Sequence, residues 1–385
     1  ALFQANELGM HAIGIDISNF KCLISHVKLE QYNLDALEKE VKRIKQAIAE
    51  YETDSSTTSF DRELTTRLAS FNNKNFPSPQ FKYDVQRGKI REFVFATEKE
   101  KEFLSIYSQL VKKHGITLRQ SSDKTFVDKW YINGVRKEID FAADLIEKVK
   151  DEQIKNVLKI ILSRTIRSCR ATTHSDLATL KEPQVTTYYC FKHKKVCKPL
   201  FSIKGWFERY ALDTVERLRV FAKLRSDAEY TVLSADSRTV DIMKEVRKQN
   251  RNLYERLDKK KIQGIFSSPP YVGQIDYHEQ HAYAYDLFKF ERKDEQEIGP
   301  LYKGQGLEAQ KSYVQGITDV LLNCKKFLAE NAEVFLVAND KYNLYPTIAE
   351  ISGMKIVNQF KRPVLNRTER DKSPYSEIIF HMKII

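Results

Sequence analysis

The sequence predicts an α/β protein in which a mostly parallel sheet is covered by helices and interrupted by a large, mainly helical insertion. Three observations predict this class. From residue 230 onwards, short apolar runs alternate with segments of helical period, which is typical of parallel strands joined by helices. Another strand-like run, residues 11–17 (HAIGIDI), stands apart from these, because helical patterns dominate the residues between. A chain of 385 residues is also long enough for two domains.

The C-terminal part carries most of the predicted sheet. Its last two strands are joined by a polar segment, residues 361–374, which predicts an antiparallel hairpin at the sheet edge. We therefore expect one α/β domain formed by residues 1–30 and 230–385, with residues 31–229 inserted into it. The predicted strands are 230–234, 262–267, 333–338, 354–360 and 376–383, and the predicted helices are 239–258, 277–290, 308–329 and 345–352.

Helical periodicity covers much of the insertion. Residues 33–51 are the clearest case, because apolar side chains recur at three- and four-residue steps behind a capping Asn33. Residues 53–59 (TDSSTTS) predict a loop, and the polar residues that follow, as far as Arg91, show little helical period. A break is expected at 171–186. The other predicted helices are 97–114, 139–168 and 204–225.

The composition is that of an ordinary globular protein, with 42% hydrophobic and 30% charged residues. No apolar run approaches the roughly 20 residues that cross a bilayer, and the N-terminus lacks a signal-peptide pattern, so we expect a cytoplasmic protein. The five cysteines are odd in number and mostly scattered, which favours a reducing compartment without disulfides.

The net charge of +12 is concentrated in one region, because residues 155–225 contain 16 Lys and Arg against 5 Asp and Glu. Such a region favours a polyanionic partner, although a solvated basic face has the same composition. The candidate phosphate contacts are Arg164, Arg167 and Arg170, and Lys192, Lys194 and Lys195. The three arginines recur at three-residue steps, so they would share one helix face and could contact successive phosphates.

The same region holds a candidate metal site. Cys190, His193 and Cys197 have a spacing close to that of structural zinc sites, and either Cys169 or His174 would supply a fourth ligand. Thiolates and imidazoles are ligands that zinc prefers. The alternative is two buried cysteines and a surface histidine in a lysine-rich loop that binds no metal.

The segment SSPPY (residues 267–271) follows a predicted strand and suits chemistry on an amine. The exocyclic amine of a nucleobase is a poor nucleophile, so a catalyst must accept its hydrogens and draw the nitrogen towards tetrahedral geometry. Ser268 offers a hydroxyl oxygen, and the carbonyls of Ser268 and Pro269 are held in direction by the prolines that follow. Tyr271 offers a flat face for a base that has left its stack. A strand-ending turn with an incidental tyrosine is the other interpretation.

Two acids follow predicted strands. In open parallel sheets, ligands bind beyond the carboxyl ends of the strands, where a carboxylate can accept hydrogen bonds from ribose hydroxyls. Asp16 closes AIGID and is placed for this role. Asp236 follows TVLSA and could accept from an adenine amine or cap the next helix. Each acid, taken alone, is also typical of a cap or turn residue.

The combination of these motifs resembles the S-adenosylmethionine-dependent amino-methyltransferases of DNA, the cytosine N4 and adenine N6 family. The matching segments are AIGIDIS, VLSADSR, SPPY, EVFLVAND, GMKIVNQF and SEIIFHMK, and they lie within residues 5–20 and 230–385. The resemblance implies a Rossmann-like methyltransferase sheet, S-adenosylmethionine as the cofactor, and a base flipped from double-stranded DNA as the substrate.

By that resemblance, the catalytic loop would consist of Ser268, Pro269, Pro270 and Tyr271. The cofactor-binding residues would be Asp16, Ile17, Asp236, Ser237 and Ser268. The first acid would hold the cofactor ribose and the second would lie near its adenine ring. The serine of SPPY favours cytosine N4 over adenine N6, and the absence of any Pro-Cys pair from the sequence speaks against cytosine C5 methylation.

One part of the family pattern, the glycine-rich turn D-x-F-x-G-x-G, is not found in this sequence. The resemblance would place it immediately before Ala1, so a missing N-terminal segment or a second polypeptide would supply it. The lone G-x-G, residues 304–306, follows no predicted strand and is interpreted as an ordinary loop. An acidic-aromatic segment after the catalytic loop is a further likeness: Asp276, Tyr277, His278 and His281 begin a predicted helix there.

Three other functions stay open on the sequence alone. They are adenine N6 methylation of DNA, amino-methylation of RNA, and a non-catalytic DNA-binding subunit that needs a partner to complete the cofactor site. The expected setting is a restriction-modification system or a solitary host methylase, close to the nucleoid of a prokaryotic cell.

Overall fold

The computed structural model describes residues 1–51, 55–174, 182–364 and 375–385. Within these ranges the chain forms eight strands and sixteen α-helices. The strands are β1 (Ala12–Asp16), β2 (Tyr188–Cys190), β3 (Lys195–Cys197), β4 (Tyr230–Ser234), β5 (Ile262–Ser267), β6 (Leu328–Ala338), β7 (Met354–Val364) and β8 (Tyr375–Ile384). The helices are α1 (Leu2–Glu7), α2 (Asn19–Leu29), α3 (Leu34–Glu50), α4 (Ser55–Asn75), α5 (Gln80–Gln86), α6 (Glu92–His114), α7 (Phe126–Trp130), α8 (Asn133–Glu147), α9 (Glu152–Ser168), α10 (Lys204–Leu224), α11 (Ile242–Gln249), α12 (Arg251–Lys259), α13 (Tyr277–Gln280), α14 (Ala282–Phe288), α15 (Leu307–Lys325) and α16 (Tyr345–Ile351).

Internal contacts divide the chain into two compact units. The sheet unit contains Ala1–Glu30, Phe221–Tyr285 and Phe290–Ile385. The helical unit contains Gln31–Val220 and Asp286–Lys289. Over the described ranges, no helix combines the length and the apolar character needed to cross a bilayer.

Six strands of the sheet unit form two sheets. In the first, β1 and β4 run parallel, with Asp16 opposite Ser234. In the second, the order is β5-β6-β8-β7; β5 is parallel to β6, and β8 is antiparallel to both of its neighbours. The predicted terminal hairpin is therefore confirmed, with β7 at the sheet edge. No ladder joins β1 to β5 among the described strands, so the described sheet is not continuous.

The core of the four-stranded sheet is built by side chains that alternate along β6 and β8. Val334 and Leu336 of β6 and Phe380 and Met382 of β8 are almost fully buried, and each such side chain contributes about 1.5–3 kcal/mol by leaving water. The ring of Tyr345 in α16 stacks on that of Phe380, with centroids 4.6 Å apart. Because Val334 is opposite Met382 and Leu336 is opposite Phe380, these side chains share one face of the sheet, which α16 covers.

The helices of the two units confirm the clearest helix prediction and correct three other expectations. The Asn33 side chain accepts a hydrogen bond from the backbone N–H of Ala36 and caps α3, as predicted. The expected loop is α4 from Ser55 onwards, because Phe60, Leu64, Leu68 and Phe71 form a buried stripe; residues 53 and 54 lie outside the described ranges. The predicted helices 139–168 and 239–258 are each two helices, because Asp151 caps α9 and Asn250 caps α12.

Candidate active site

The loop after β5 begins in the open and then becomes anchored. Ser267 pairs with Leu336 at the end of the strand, and the next residue, Ser268, has an exposed side chain. Prolines at 269 and 270 cannot donate to a sheet, so the ladder ends here. The Pro270 carbonyl instead accepts a hydrogen bond of 2.9 Å from the Tyr313 hydroxyl in α15. The backbone that carries the exposed serine is therefore fixed two residues later, at Pro270.

Tyr271 is held at its hydroxyl end. The phenol donates to Oε1 of Glu377 in β8 at 2.7 Å, and the ring packs against the apolar core of the four-stranded sheet. Tyr313, which holds the Pro270 carbonyl, also shares a hydrogen bond of 2.9 Å with Tyr345, and burial raises the pKa of both phenols. Sequence reasoning missed Glu377 and Tyr313, since both lie more than 40 residues from the loop they position.

Gly273 forms the turn after Tyr271 and needs to be glycine. Its φ is +60°, and a Cβ at this position would lie 2.2 Å from the carbonyl oxygen of Gly304. The Gly273 N–H donates to Gly299 at 3.0 Å, and the Gln305 side chain donates to the Gly273 carbonyl at 3.2 Å. The G-x-G segment, interpreted from sequence as an ordinary loop, therefore clamps the turn beside the SPPY loop.

The two strand-end acids lie at the same edge of the β1–β4 sheet, because the strands are parallel and Asp16 is opposite Ser234. Oδ1 of Asp16 accepts the Ser18 backbone N–H at 2.9 Å, at the start of α2. Asp236 is occupied more fully, because Arg238 donates to it from its backbone N–H at 2.9 Å and from its guanidinium at 2.6–3.0 Å. Burial opposes ionisation of Asp236, but these bonds hold the pKa of its carboxyl below its usual value.

The two neighbours of these acids in the predicted site, Ile17 and Ser237, are half-buried. The Ser237 carbonyl accepts a hydrogen bond of 3.1 Å from the Asn323 side chain in α15. The same amide donates to the Val240 carbonyl at 2.9 Å. The loop after β4 is thus tied to the helix that also anchors the SPPY loop.

Tyr277 connects the Asp16 edge to the segment after the SPPY loop. The Lys21 ammonium lies 3.8 Å from its ring centroid, a cation–π contact. Burial raises the pKa of Tyr277, and the negative charges of Glu297 and Asp16 raise it further. Asp16 therefore lies close enough to Tyr277, the sixth residue after Tyr271, for its charge to affect the pKa of that phenol.

A buried histidine next to Tyr277 was expected from the sequence only as part of a helix start. His278 is 1% exposed; its Nδ1 is bonded to Glu297, and its backbone N–H donates to the same carboxylate at 2.7 Å. Nε2 has no hydrogen-bond partner among the described residues. The ring lies 5.0 Å from that of Tyr285, whose hydroxyl is 2.6 Å from Oγ of Ser18. Burial raises the pKa of Tyr285 to about 12.

The three arginines do not share one helix face in the structure. Arg164 pairs with Asp213 at 2.5 Å, donates to Thr214 and lies over the Tyr210 ring. Helix α9 ends at Ser168, so Arg170 lies beyond it and is only 7% exposed. The expectation of one row of cations on a helix face is therefore wrong, and Arg167 alone of the three is exposed.

The lysine cluster lies in the turn between β2 and β3. Lys192 and Lys195 are exposed. Lys194 has a φ of +54° and its ammonium lies 2.7 and 2.8 Å from the two carboxylate oxygens of Glu92. Other basic side chains of residues 155–225 also pair with acids: Lys155 with Glu152, Lys159 with Glu147, Lys198 with Asp61, and Arg219 with Glu38 and Glu216.

Four side chains of kinds that can bind a metal lie close together at this hairpin. They are His174, Cys190, His193 and Cys197. Cys169, the other candidate for the fourth ligand, is not in this group and is 2% exposed.

No protein-family model matches the chain. The type II methyltransferase M.MjaII of Methanocaldococcus jannaschii is 47% identical over 387 aligned positions, which cover 100% of this chain and 73% of that relative. An α/β unit with polar loops at the carboxyl ends of parallel strands is consistent with a methyltransferase fold, and the identity extends along the entire chain. The chain belongs to the type II methyltransferase family, the methyltransferases of restriction-modification systems.

Proposed function

We propose that this protein transfers a methyl group from S-adenosylmethionine to the exocyclic amine of a base flipped out of double-stranded DNA, with cytosine N4 as the preferred target. One observation carries the proposal. Ser268 is exposed at the carboxyl end of β5, while Tyr313 fixes the backbone at Pro270 and Glu377 fixes the Tyr271 ring. Family membership supports methyl transfer as the reaction.

The chain's own groups act on the amine. Oγ of Ser268 and the carbonyl oxygens that the prolines aim accept the two amine hydrogens, so the nitrogen lone pair becomes available for attack. Tyr271 stacks on the extruded base and holds it in line. The surplus proton leaves to water after transfer.

The residues at the carboxyl edge of β1 fit the cofactor. Asp16 accepts one backbone N–H there, and a carboxylate has about four acceptor positions, which leaves capacity for ribose hydroxyls. Asp16 and Ile17 would hold the ribose, Asp236 and Ser237 would lie at the adenine, and Ser268 would face both cofactor and base. When bound, S-adenosylmethionine supplies an electrophilic methyl group on a sulfonium.

A further strand between β1 and β5 would complete this site. Among the described strands, β1 pairs with β4 alone and β5 with β6 alone, yet Ile13, Ile15 and Ile262 border one apolar cluster. Phe266 of β5 is 61% exposed. With a strand inserted, the order becomes β4-β1-new-β5-β6-β8-β7, a continuous Rossmann-like sheet. We infer that this strand carries the glycine-rich turn and is supplied by a segment outside the described residues.

Calorimetry with S-adenosylmethionine tests the strand separately from the chemistry. The chain alone should bind weakly, and supplying the strand as an N-terminal extension or a partner should tighten binding and slow amide exchange in β1 and β5. Tight binding by the chain alone, with both edges still exchanging freely, would overturn the strand and leave methyl transfer unaffected.

The insertion, residues 31–229, is the proposed DNA-recognition region. Arg167, Lys192 and Lys195 are its exposed candidates for phosphate contacts. The reaction would take place on DNA in the cytoplasm of a prokaryotic cell, at the nucleoid.

Mass spectrometry of digested DNA tests the target base. Duplex DNA incubated with the protein and S-adenosylmethionine should yield N4-methylcytosine, whereas N6-methyladenine would move the target to adenine. A matched reaction with Tyr271→Ala should yield neither base. If no methylated base forms although the cofactor binds, DNA amino-methylation is overturned.

A further inference from the structure

Four side chains from two separate segments of the helical unit meet at one point. His174 lies after α9, and Cys190, His193 and Cys197 lie on the β2–β3 hairpin. One ligand atom from each residue lies within 4.8 Å of all the others. Sγ of Cys197 is 3.5 Å from Nδ1 of His193, and the two imidazole rings have centroids 4.4 Å apart.

These separations are close to those of a filled tetrahedral site. With Zn–S of about 2.3 Å and Zn–N of about 2.0–2.1 Å, neighbouring ligand atoms in a tetrahedron are about 3.3–3.8 Å apart. Only small side-chain adjustments therefore separate this group from four-coordinate geometry. Two thiolates and two imidazoles select zinc over hard cations such as calcium or magnesium.

One ligand is oriented by a hydrogen bond outside the group. The Tyr188 hydroxyl accepts the backbone N–H of His174 at 3.1 Å and lies 2.7 Å from Nδ1 of the same residue. When Nδ1–H donates to this oxygen, Nε2 presents its lone pair to a metal. Such outer contacts are a regular feature of metal-binding histidines.

The hairpin is too small to be stable by itself. Strands β2 and β3 have three residues each. Tyr188, Cys190 and Cys197 form one small buried cluster, and the Asn72 side chain of α4 makes two hydrogen bonds with the Val196 backbone. A two-stranded hairpin of this size needs another source of stability. The contacts with α4 supply part of it, and a metal that joins both strands to His174 would add to them.

We propose that His174, Cys190, His193 and Cys197 bind one zinc ion that fixes the β2–β3 hairpin within the helical unit. All four positions are filled by protein ligands, so the site is structural and leaves no position for substrate. Neither the target base nor the methyl-transfer reaction enters this inference.

Cobalt substitution and metal analysis of the full chain test the site. The protein purified without chelator should contain about one zinc per chain, and Co²⁺ should replace it with a thiolate-to-cobalt charge-transfer band and tetrahedral d–d bands. Cys190→Ser and Cys197→Ser should each lower the charge-transfer band to about half, because one of two thiolates is lost. Cys169→Ser and Cys324→Ser are matched controls and should leave it unchanged.

A variant that exchanges one ligand for another separates loss of the metal site from misfolding. His193→Cys keeps four ligands and should bind zinc with a stronger cobalt charge-transfer band, since it supplies a third thiolate. A folded chain with no such band, a band that survives loss of both Cys190 and Cys197, or a Cys190–Cys197 disulfide in reduced preparations would each overturn the proposal.

Discussion

Ser268 has an exposed side chain on a fixed backbone, so the chemical role of its hydroxyl can be tested without disturbing the fold. Removing its hydroxyl takes nothing from the core. In the proposed reaction, it also removes an acceptor for the amine hydrogens of the base.

Ser268→Ala should therefore reduce kcat for DNA methylation by about 10²-fold, the usual effect of losing one aligned polar group at a reacting centre. The melting temperature should not change, and any loss of affinity for S-adenosylmethionine should be small beside the loss of kcat. Ser267→Ala, one residue earlier at the end of β5, is the matched control and should keep most of the rate. Rapid-quench single turnovers with labelled cofactor measure both, and an unimpaired Ser268→Ala enzyme would exclude the proposed role.

Asp236 and Arg238 give a residue-scale prediction for stability. The pKa of Asp236 is lowered in the folded chain, so its ion pair stabilises the fold above the unfolded value of about 3.9. This stabilisation is lost as pH falls through the lower, folded pKa. Asp236→Asn should lower the melting temperature at pH 7, and its difference from the parent should shrink below about pH 4. Asp123→Asn is an exposed control; a difference that widens in acid would contradict the assignment.

At the scale of elements, the turn after Tyr271 shows how local backbone geometry supports the site. Gly273 combines a left-handed φ with close contact to the Gly304 carbonyl. Gly115 has a similar φ of +63° at the end of α6, but a Cβ added there would meet nothing within 4 Å. Alanine substitutions at these two glycines therefore distinguish the cost of backbone strain from the cost of steric overlap.

Gly115→Ala should cost about 1–2 kcal/mol of unfolding free energy from left-handed strain alone. Gly273→Ala should cost about 1–3 kcal/mol more, because its Cβ meets a backbone carbonyl that cannot move away easily. It should also lower methyl transfer by displacing the SPPY loop. Urea unfolding of both variants measures the difference; equal losses would show that the contact with Gly304 is not maintained in solution.

Predictions from the sequence succeeded where one local signal dominated. The apolar runs predicted β4, β5 and the terminal hairpin, and Asn33 with its apolar stripe predicted α3. They failed where a helix cap, or a partner distant in sequence, determines the local structure. Asp151 and Asn250 split helices inside continuous apolar periods, and Arg164 is drawn to an aspartate 49 residues away. Glu377 and Glu297, which hold the site in place, belong to no motif that predicts this role.

At the scale of the whole molecule, the count of 64 Lys and Arg overstates the number of free cations, because many basic side chains of the helical unit are paired with acids. The distinction matters within the hairpin turn. Lys192 and Lys195 are exposed, whereas Lys194 is paired with Glu92.

Lys192→Ala and Lys195→Ala should each weaken DNA binding for all sequences alike and reduce the salt slope by about 1. Lys194→Ala, in the same turn, should change the slope much less. Fluorescence anisotropy over a range of salt concentrations measures all three. Equal effects at the three positions would mean that the Glu92 pair opens on binding and that exposure in the free chain does not identify the contacts.

Transfer of tritiated methyl groups from S-adenosylmethionine, with duplex DNA and tRNA offered in parallel, tests most directly whether the SPPY loop modifies a DNA base. The label should enter DNA, depend on Ser268 and Tyr271, and be absent from tRNA. Label that enters only tRNA, or that enters DNA equally well when both residues are replaced by alanine, would contradict the proposed reaction.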